Sequence, residues 1–308
     1  MILPRIVLGP QRLLPTVGKE LDALDLPGHA VAITAGWQER EDEDDELKQV
    51  CGGRVQNLRL YARWEQVQRE DPELARGHRE RQDELRSLQD LYRMRLESEK
   101  RVLERLLKHD GPARLIEPER DSALDTIRRL DAHHLARIRA IRADFESALS
   151  PSERPAVLKQ RREIGEAIEA ASAVLVAGGH VAVLLNRLQL FGLEPWLKSR
   201  PIIAWSAGAM ALSDRVVLFH DHPAQGAGRA EVFEEGLGLL PGLVVLPHAR
   251  HRLRLTNPVR VTMLARRFAP STCVAMDEGD RLGWPDAVPG APSRGKRLCP
   301  DGHAEPLG

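Results

Sequence analysis

Short apolar runs and amphipathic stretches alternate through the first sixty residues. Residues 5–8, 30–34 and 54–60 read as strands, and 15–24 and 45–50 as helices, which is the βαβαβ order of a parallel sheet. From about residue 62 to 172 the strand signal vanishes and dense alternating charge replaces it. Apolar side chains there recur three or four apart: Leu85, Leu88, Tyr92, Leu96, Leu103 and Leu106, then, past Gly111-Pro112, Leu124, Ile127, Leu130, Leu135, Ile138, Ile141, Phe145 and Leu149. This spacing predicts two long helices folded back on each other, with a third helix over 152–171. The α/β pattern resumes at residue 173, with strands expected at 173–177, 201–205, 215–219, 243–246 and 272–276 and helices at 181–191 and 207–212. The tail from Gly283 is rich in Pro and Gly and predicts hairpins and coil. The expected fold is a three-layer α/β domain with a mainly parallel sheet, formed by 1–61 and 173–308 and interrupted by a coiled-coil-like helical insertion over 62–172.

Charge and composition narrow the function classes. Lys plus Arg and Asp plus Glu are both 45, so no whole-molecule field attracts nucleic acid or an anionic membrane, and neither is expected as a partner. The three cysteines, Cys51, Cys273 and Cys299, suit a reduced compartment better than a disulfide framework. Prolines at 4, 10 and 15 interrupt the N-terminal apolar runs, and no export signal or membrane span is visible. A cytoplasmic protein is expected.

The chemistry is concentrated in the second α/β stretch. Ile202-Ile203-Ala204-Trp205-Ser206-Ala207-Gly208-Ala209 is an apolar strand, one nucleophile, then small residues opening a helix. A nucleophile elbow needs this pattern, because bulky neighbours would obstruct the tight turn and the helix start favours developing negative charge. The same serine would also serve as a plain helix N-cap. Val174-Leu175-Val176-Ala177-Gly178-Gly179 ends a buried strand in two glycines whose N–H groups can approach an oxyanion, or simply form a tight turn. Five histidines of the α/β part are candidate bases: His180, His220, His222, His248 and His251. His248 follows an apolar run and so stands at the carboxyl edge of a strand. Asp277 and Glu278 follow the next run, and Asp221 is a further candidate acid.

Taken together, Gly178-Gly179, the Ser206 elbow, Gly236-Leu237-Gly238-Leu239-Leu240-Pro241 leading to His248, and Asp277-Glu278-Gly279 resemble successive motifs of the cyanophycinase and peptidase E (aspartyl dipeptidase) family. The resemblance covers 1–61 and 173–283 and is specific in the second part. It implies a class I glutamine-amidotransferase-like fold with serine in place of the cysteine nucleophile. It further implies Ser206 as nucleophile, His248 as base, Glu278 as its orienter, and the N–H groups of Gly179 and Ala207 as oxyanion hole. Gly178, His180, Arg252 and Arg254 fall at substrate-binding positions. Leu246 stands where the family usually has aspartate, and His180-Val181 where it has a polar residue such as Asn or Asp. The expected reaction is hydrolysis of a small peptide or isopeptide amide, with no cofactor and no metal. His220, Asp221 and His222, or His248 and His251, would be the residues of a competing metal site. The acidic run at 39–46 reads as a solvated loop and helix start. The rival class is a degenerate α/β scaffold whose helical insertion binds a protein partner or forms a homodimer.

Overall fold

Residues buried on both faces make a strand read as an unbroken apolar run, and the central strands have that character. The computed structural model describes residues 3–219, 230–284, 288 and 290–307. Its strands are β1 (Arg5–Leu8), β2 (Ala30–Ile33), β3 (Val55–Asn57), β4 (Ala173–Val176), β5 (Ile202–Trp205), β6 (Arg215–Phe219), β7 (Ala230–Glu235), β8 (Leu243–Pro247), β9 (Thr272–Met276), β10 (Arg281–Trp284), β11 (Lys296–Leu298) and β12 (Ala304–Pro306). The main sheet runs β10-β1-β5-β4-β2-β3, parallel throughout except for β10 at its edge. A second sheet, β12-β11-β9-β8, carries the parallel pair β8/β9, and β6 and β7 form an antiparallel hairpin.

Side chains alternate across the main sheet, so Ile6 and Leu8 join one core with Val17, Leu21 and Leu47, while Val7 joins another on the opposite face. That second core is built from helices Leu60–Glu70, Pro155–Ala170, Val181–Leu190 and Ala207–Leu212. Helices therefore cover both faces of a largely parallel sheet, the mixed α/β arrangement that the strand pattern predicts.

Two boundaries differ from expectation. The third strand ends at Asn57 rather than near residue 60, because the Asn57 side chain takes over the turn. Its Oδ1 accepts from Thr34 Oγ1 at 2.9 Å and from the Arg59 N–H at 3.0 Å, and Arg59 turns left-handed (φ 53°) to start a helix at Leu60. The helix expected over 152–171 begins at Pro155 after a short turn at 151–153.

The long helices are Pro72–Lys108 and Ala113–Leu149, with no strand in either. Asp71 caps the first by accepting from the Leu74 N–H at 3.0 Å, with Pro72 at its first position. At the other end Arg120 of the second helix donates to the Leu106 and His109 carbonyls at 2.8 and 3.0 Å, satisfying acceptors the helix end leaves over. Their apolar stripe, Tyr92, Leu96, Leu103, Leu124, Ile127, Leu130, Leu135 and Ile138, is buried as its spacing predicts. It is buried in one core with β6–β9 and the helix Pro258–Phe268, not only helix against helix. Among the described residues no helix is long and apolar enough to cross a membrane.

Candidate active site

The carboxyl ends of β1, β2, β4, β5 and β8 and the loops that follow them surround a cavity of about 640 Å³, a volume typical of small-ligand sites. Ser206 sits on its wall, directly after β5, with φ 48° and ψ −119°. A non-glycine residue held there is strained, by roughly 1–3 kcal/mol, and such strain persists only where the surroundings over-determine it. The neighbours show how. A Cβ on Gly208 would come within 2.1 Å of the Val176 carbonyl oxygen, so the turn needs glycine there, and one on Gly178 would make a tight contact of 3.0 Å with the Ser206 Cβ. The Ser206 side chain makes no capping hydrogen bond to its helix, which removes the plain N-cap alternative. It is 9% exposed and opens on the cavity.

His248 lines the same cavity. It follows β8 immediately and is left-handed (φ 57°, ψ 42°), half-buried, at the start of the short helix Ala249–Arg252. Gly178, Gly179, His180 and Ala207 complete this wall. Gly179 has φ 116°, and a Cβ there would strike the Gly36 backbone at 2.4 Å, so only glycine fits. The His180 N–H donates to the Gly36 carbonyl at 2.7 Å, and its ring Nδ1 accepts from the Val183 N–H at 3.3 Å, so His180 fixes the start of helix Val181–Leu190. Ala207 opens its own helix, and its N–H has no partner within it.

The structure does not bring every expected residue together. Arg252 lines the cavity, whereas Arg254 does not. Glu278 is exposed in the turn after β9 and is absent from the cavity wall. Asp277 lies beside β8, through the pairing of Pro247 with Met276, but its Oδ1 accepts from the Arg250 N–H at 3.0 Å and its other oxygen stands 3.7 Å from the Arg250 guanidinium. His220, Asp221 and His222 lie outside the described residues. Among the described residues no three His, Cys, Asp or Glu side chains are grouped to hold a metal ion. The cysteines are unpaired and buried, and burial pushes the Cys51 thiol up to about 11.

Residue patterns alone missed several wall residues: Arg12, Trp37, Glu43, Glu46 and Phe219. The loop carrying Arg12 is shaped by Gln11, whose Oε1 accepts from the N–H groups of Thr16 and Val17 at 2.6 and 2.9 Å. Glu43 and Glu46 belong to the acidic run and stand at the cavity, where Arg40 holds the Glu43 carboxyl below its usual range.

Residues 139–285 match the model of peptidase family S51. The resemblance to cyanophycinase and peptidase E is thereby borne out over that span, which contains Ser206, His248 and the glycine pair, and the match supports a hydrolase of the peptidase type. Among solved structures the chain is similar to the crystal structure of a peptidase from an acI-B1 Actinobacterium, at 15% identity and a TM-score of 0.47, over 97% of this chain and 92% of that one. No curated protein matches the chain.

Proposed function

We propose that the protein is a serine-type peptidase that cleaves a small peptide or isopeptide amide through an acyl-enzyme on Ser206. The observation that carries this reading is the strained Ser206 elbow opening on a cavity that His248 also lines. A serine hydroxyl is almost fully protonated at neutral pH and needs a base. His248 takes the proton as Oγ attacks the carbonyl carbon, then returns it to the leaving amine, and water releases the acyl group with His248 acting again as base. The N–H groups of Gly179 and Ala207 hold the oxyanion. A carboxylate orients His248. The family resemblance gives that role to Glu278, and its exposed position makes Asp277 and Asp221 its competitors, so Glu278→Gln, Asp277→Asn and Asp221→Asn are compared for loss of turnover. Arg252 at the cavity favours a substrate carboxylate. Ser206→Ala should lower turnover of an aspartyl dipeptide by at least about a thousandfold, and retained turnover would remove the mechanism. Arg252→Ala should hurt acidic dipeptides more than neutral ones.

Exposed Leu91, Met94 and Val102 on helix Pro72–Lys108 favour a second role for the long helices, as a contact surface for a partner or a second copy. Leu91→Glu with Met94→Glu would then reduce the sedimentation mass, and a monomeric wild type would remove the homodimer.

A further inference from the structure

A second cavity, of about 390 Å³, lies where helices Leu60–Glu70, Pro72–Lys108 and Val181–Leu190 meet, with Tyr61, Trp64, His78, Gln82 and Arg187 on its wall. Arg187 is 8% exposed, and its guanidinium lies 5.7 and 5.3 Å from the ring centres of Tyr61 and Trp64. Its Nη1 donates to Asn186 Oδ1 at 2.5 Å, and its Nε has no acceptor. Among the described residues no carboxylate stands within ion-pairing distance of it; Glu41 and Glu65 act on it only through space. Burial accordingly pulls the guanidinium down to about 10. The other groups do not supply the missing charge. His78 shares Asn186 Oδ1 through Nε2 at 2.9 Å, so its Nε2 carries the hydrogen. Gln82 Nε2, also buried, again lacks an acceptor, and Arg81 beside it adds a buried cation stacked on Phe145 at 4.0 Å.

Buried donors without acceptors and a buried cation without a counter-ion are costly, and native proteins rarely leave them so. Here Arg187 and Gln82 both belong to the cavity wall, and the unmet atom of each, buried behind that wall, is a donor. We propose that this cavity binds a small oxyanion, a carboxylate or a phosphate, on Arg187 and Gln82, at a site separate from that of Ser206. The planar guanidinium fork suits either anion. The exposed part of the lining carries Glu65 and Asp83 together with Arg79 and Arg86, and Arg86 pairs with Asp83 at 2.8 Å, so the rim adds little net charge and the buried Arg187 supplies the positive charge of the site.

Calorimetric titration of the full chain with inorganic phosphate and, separately, with acetate, at ionic strength matched by sodium chloride, tests this. Saturable binding of at least one is expected, weakened by about tenfold or more in Arg187→Gln, the loss of one charge-assisted contact, and by a smaller factor in Gln82→Met. Tighter phosphate binding assigns a phosphoryl ligand, and tighter acetate binding a carboxylate ligand. No saturable heat with either anion, or unchanged affinity in both variants, would overturn the site. Should Arg187→Gln fail to fold, unchanged affinity in Gln82→Met alone would overturn it.

Discussion

The wall around Ser206 and the paired long helices hold their unfavourable groups in opposite ways. Around the cavity the stored cost is in the backbone: Ser206 and His248 both have positive φ, and glycines at 178, 179 and 208 allow the close approaches to the Ser206 Cβ, the Gly36 backbone and the Val176 carbonyl. Within the helices 72–108 and 113–149 no non-glycine residue has positive φ, and the cost lies in buried polar side chains, His78, Arg81, Gln89, Lys100, Asp131 and His134. The centre of that second group is Asp131, which accepts from Arg267 at 2.7 Å through both oxygens and from the Tyr92 hydroxyl at 2.8 Å, while Arg267 also donates to the Ala230 carbonyl. Backbone strain suits a site that must present one hydroxyl. Buried ion pairs fix how one element seats on another, here the long helices on β7 and the helix Pro258–Phe268.

The largest effect should come from breaking that seat. Asp131→Ala leaves Arg267 buried without its partner and should cost about 3–5 kcal/mol by urea unfolding. A loss below about 1 kcal/mol would mean that the pair does not anchor the helices.

Acid should act on the helices next. Burial lowers the His78 pKa to about 3, so the folded state keeps the ring neutral while the unfolded chain protonates it near 6.5. Its contribution is complete above about pH 6.5 and falls away as pH drops toward 3; between pH 7 and 5 it amounts to roughly 2 kcal/mol. His134, lowered by burial to about 4, behaves in the same sense. Unfolding at the two pH values should show a correspondingly shallower slope in His78→Gln, and an unchanged slope would contradict the burial argument.

At the elbow the effects are smaller. Gly208→Ala forces a methyl against the Val176 carbonyl oxygen and should destabilise by about 1–3 kcal/mol. Ser206→Gly, by contrast, relieves the positive φ and should raise stability by up to about 1 kcal/mol while abolishing turnover, a stability and activity trade visible by denaturation and assay together. Lower stability in Ser206→Gly would mean that the backbone is not strained there.

What the sequence made legible follows the same division. The apolar runs of β1, β2, β4, β5, β8 and β9 and the elbow at Ser206 are local patterns, and the structure has strands at each of those places with Ser206 and His248 on one cavity. Strand β7 was not legible, because its buried Glu231 and Glu234 break the alternation and find Arg93 and Arg142 from helices far away in sequence. Arg12 has no local signal for a similar reason: it reaches the cavity through a loop shaped by Gln11, with no motif around it. The polar spacing of an amphipathic helix likewise carries no sign that Asp131 is 1% exposed, since its partner Arg267 lies 136 residues further along the chain.

The central claim is that Ser206 is an activated nucleophile. The most direct measurement is reaction of the full chain with a fluorophosphonate, followed by peptide mapping. The account predicts a single adduct on Ser206, absent in Ser206→Ala and slowed in His248→Gln. An unlabelled Ser206 in folded protein, or labelling that His248→Gln leaves unchanged, would contradict it.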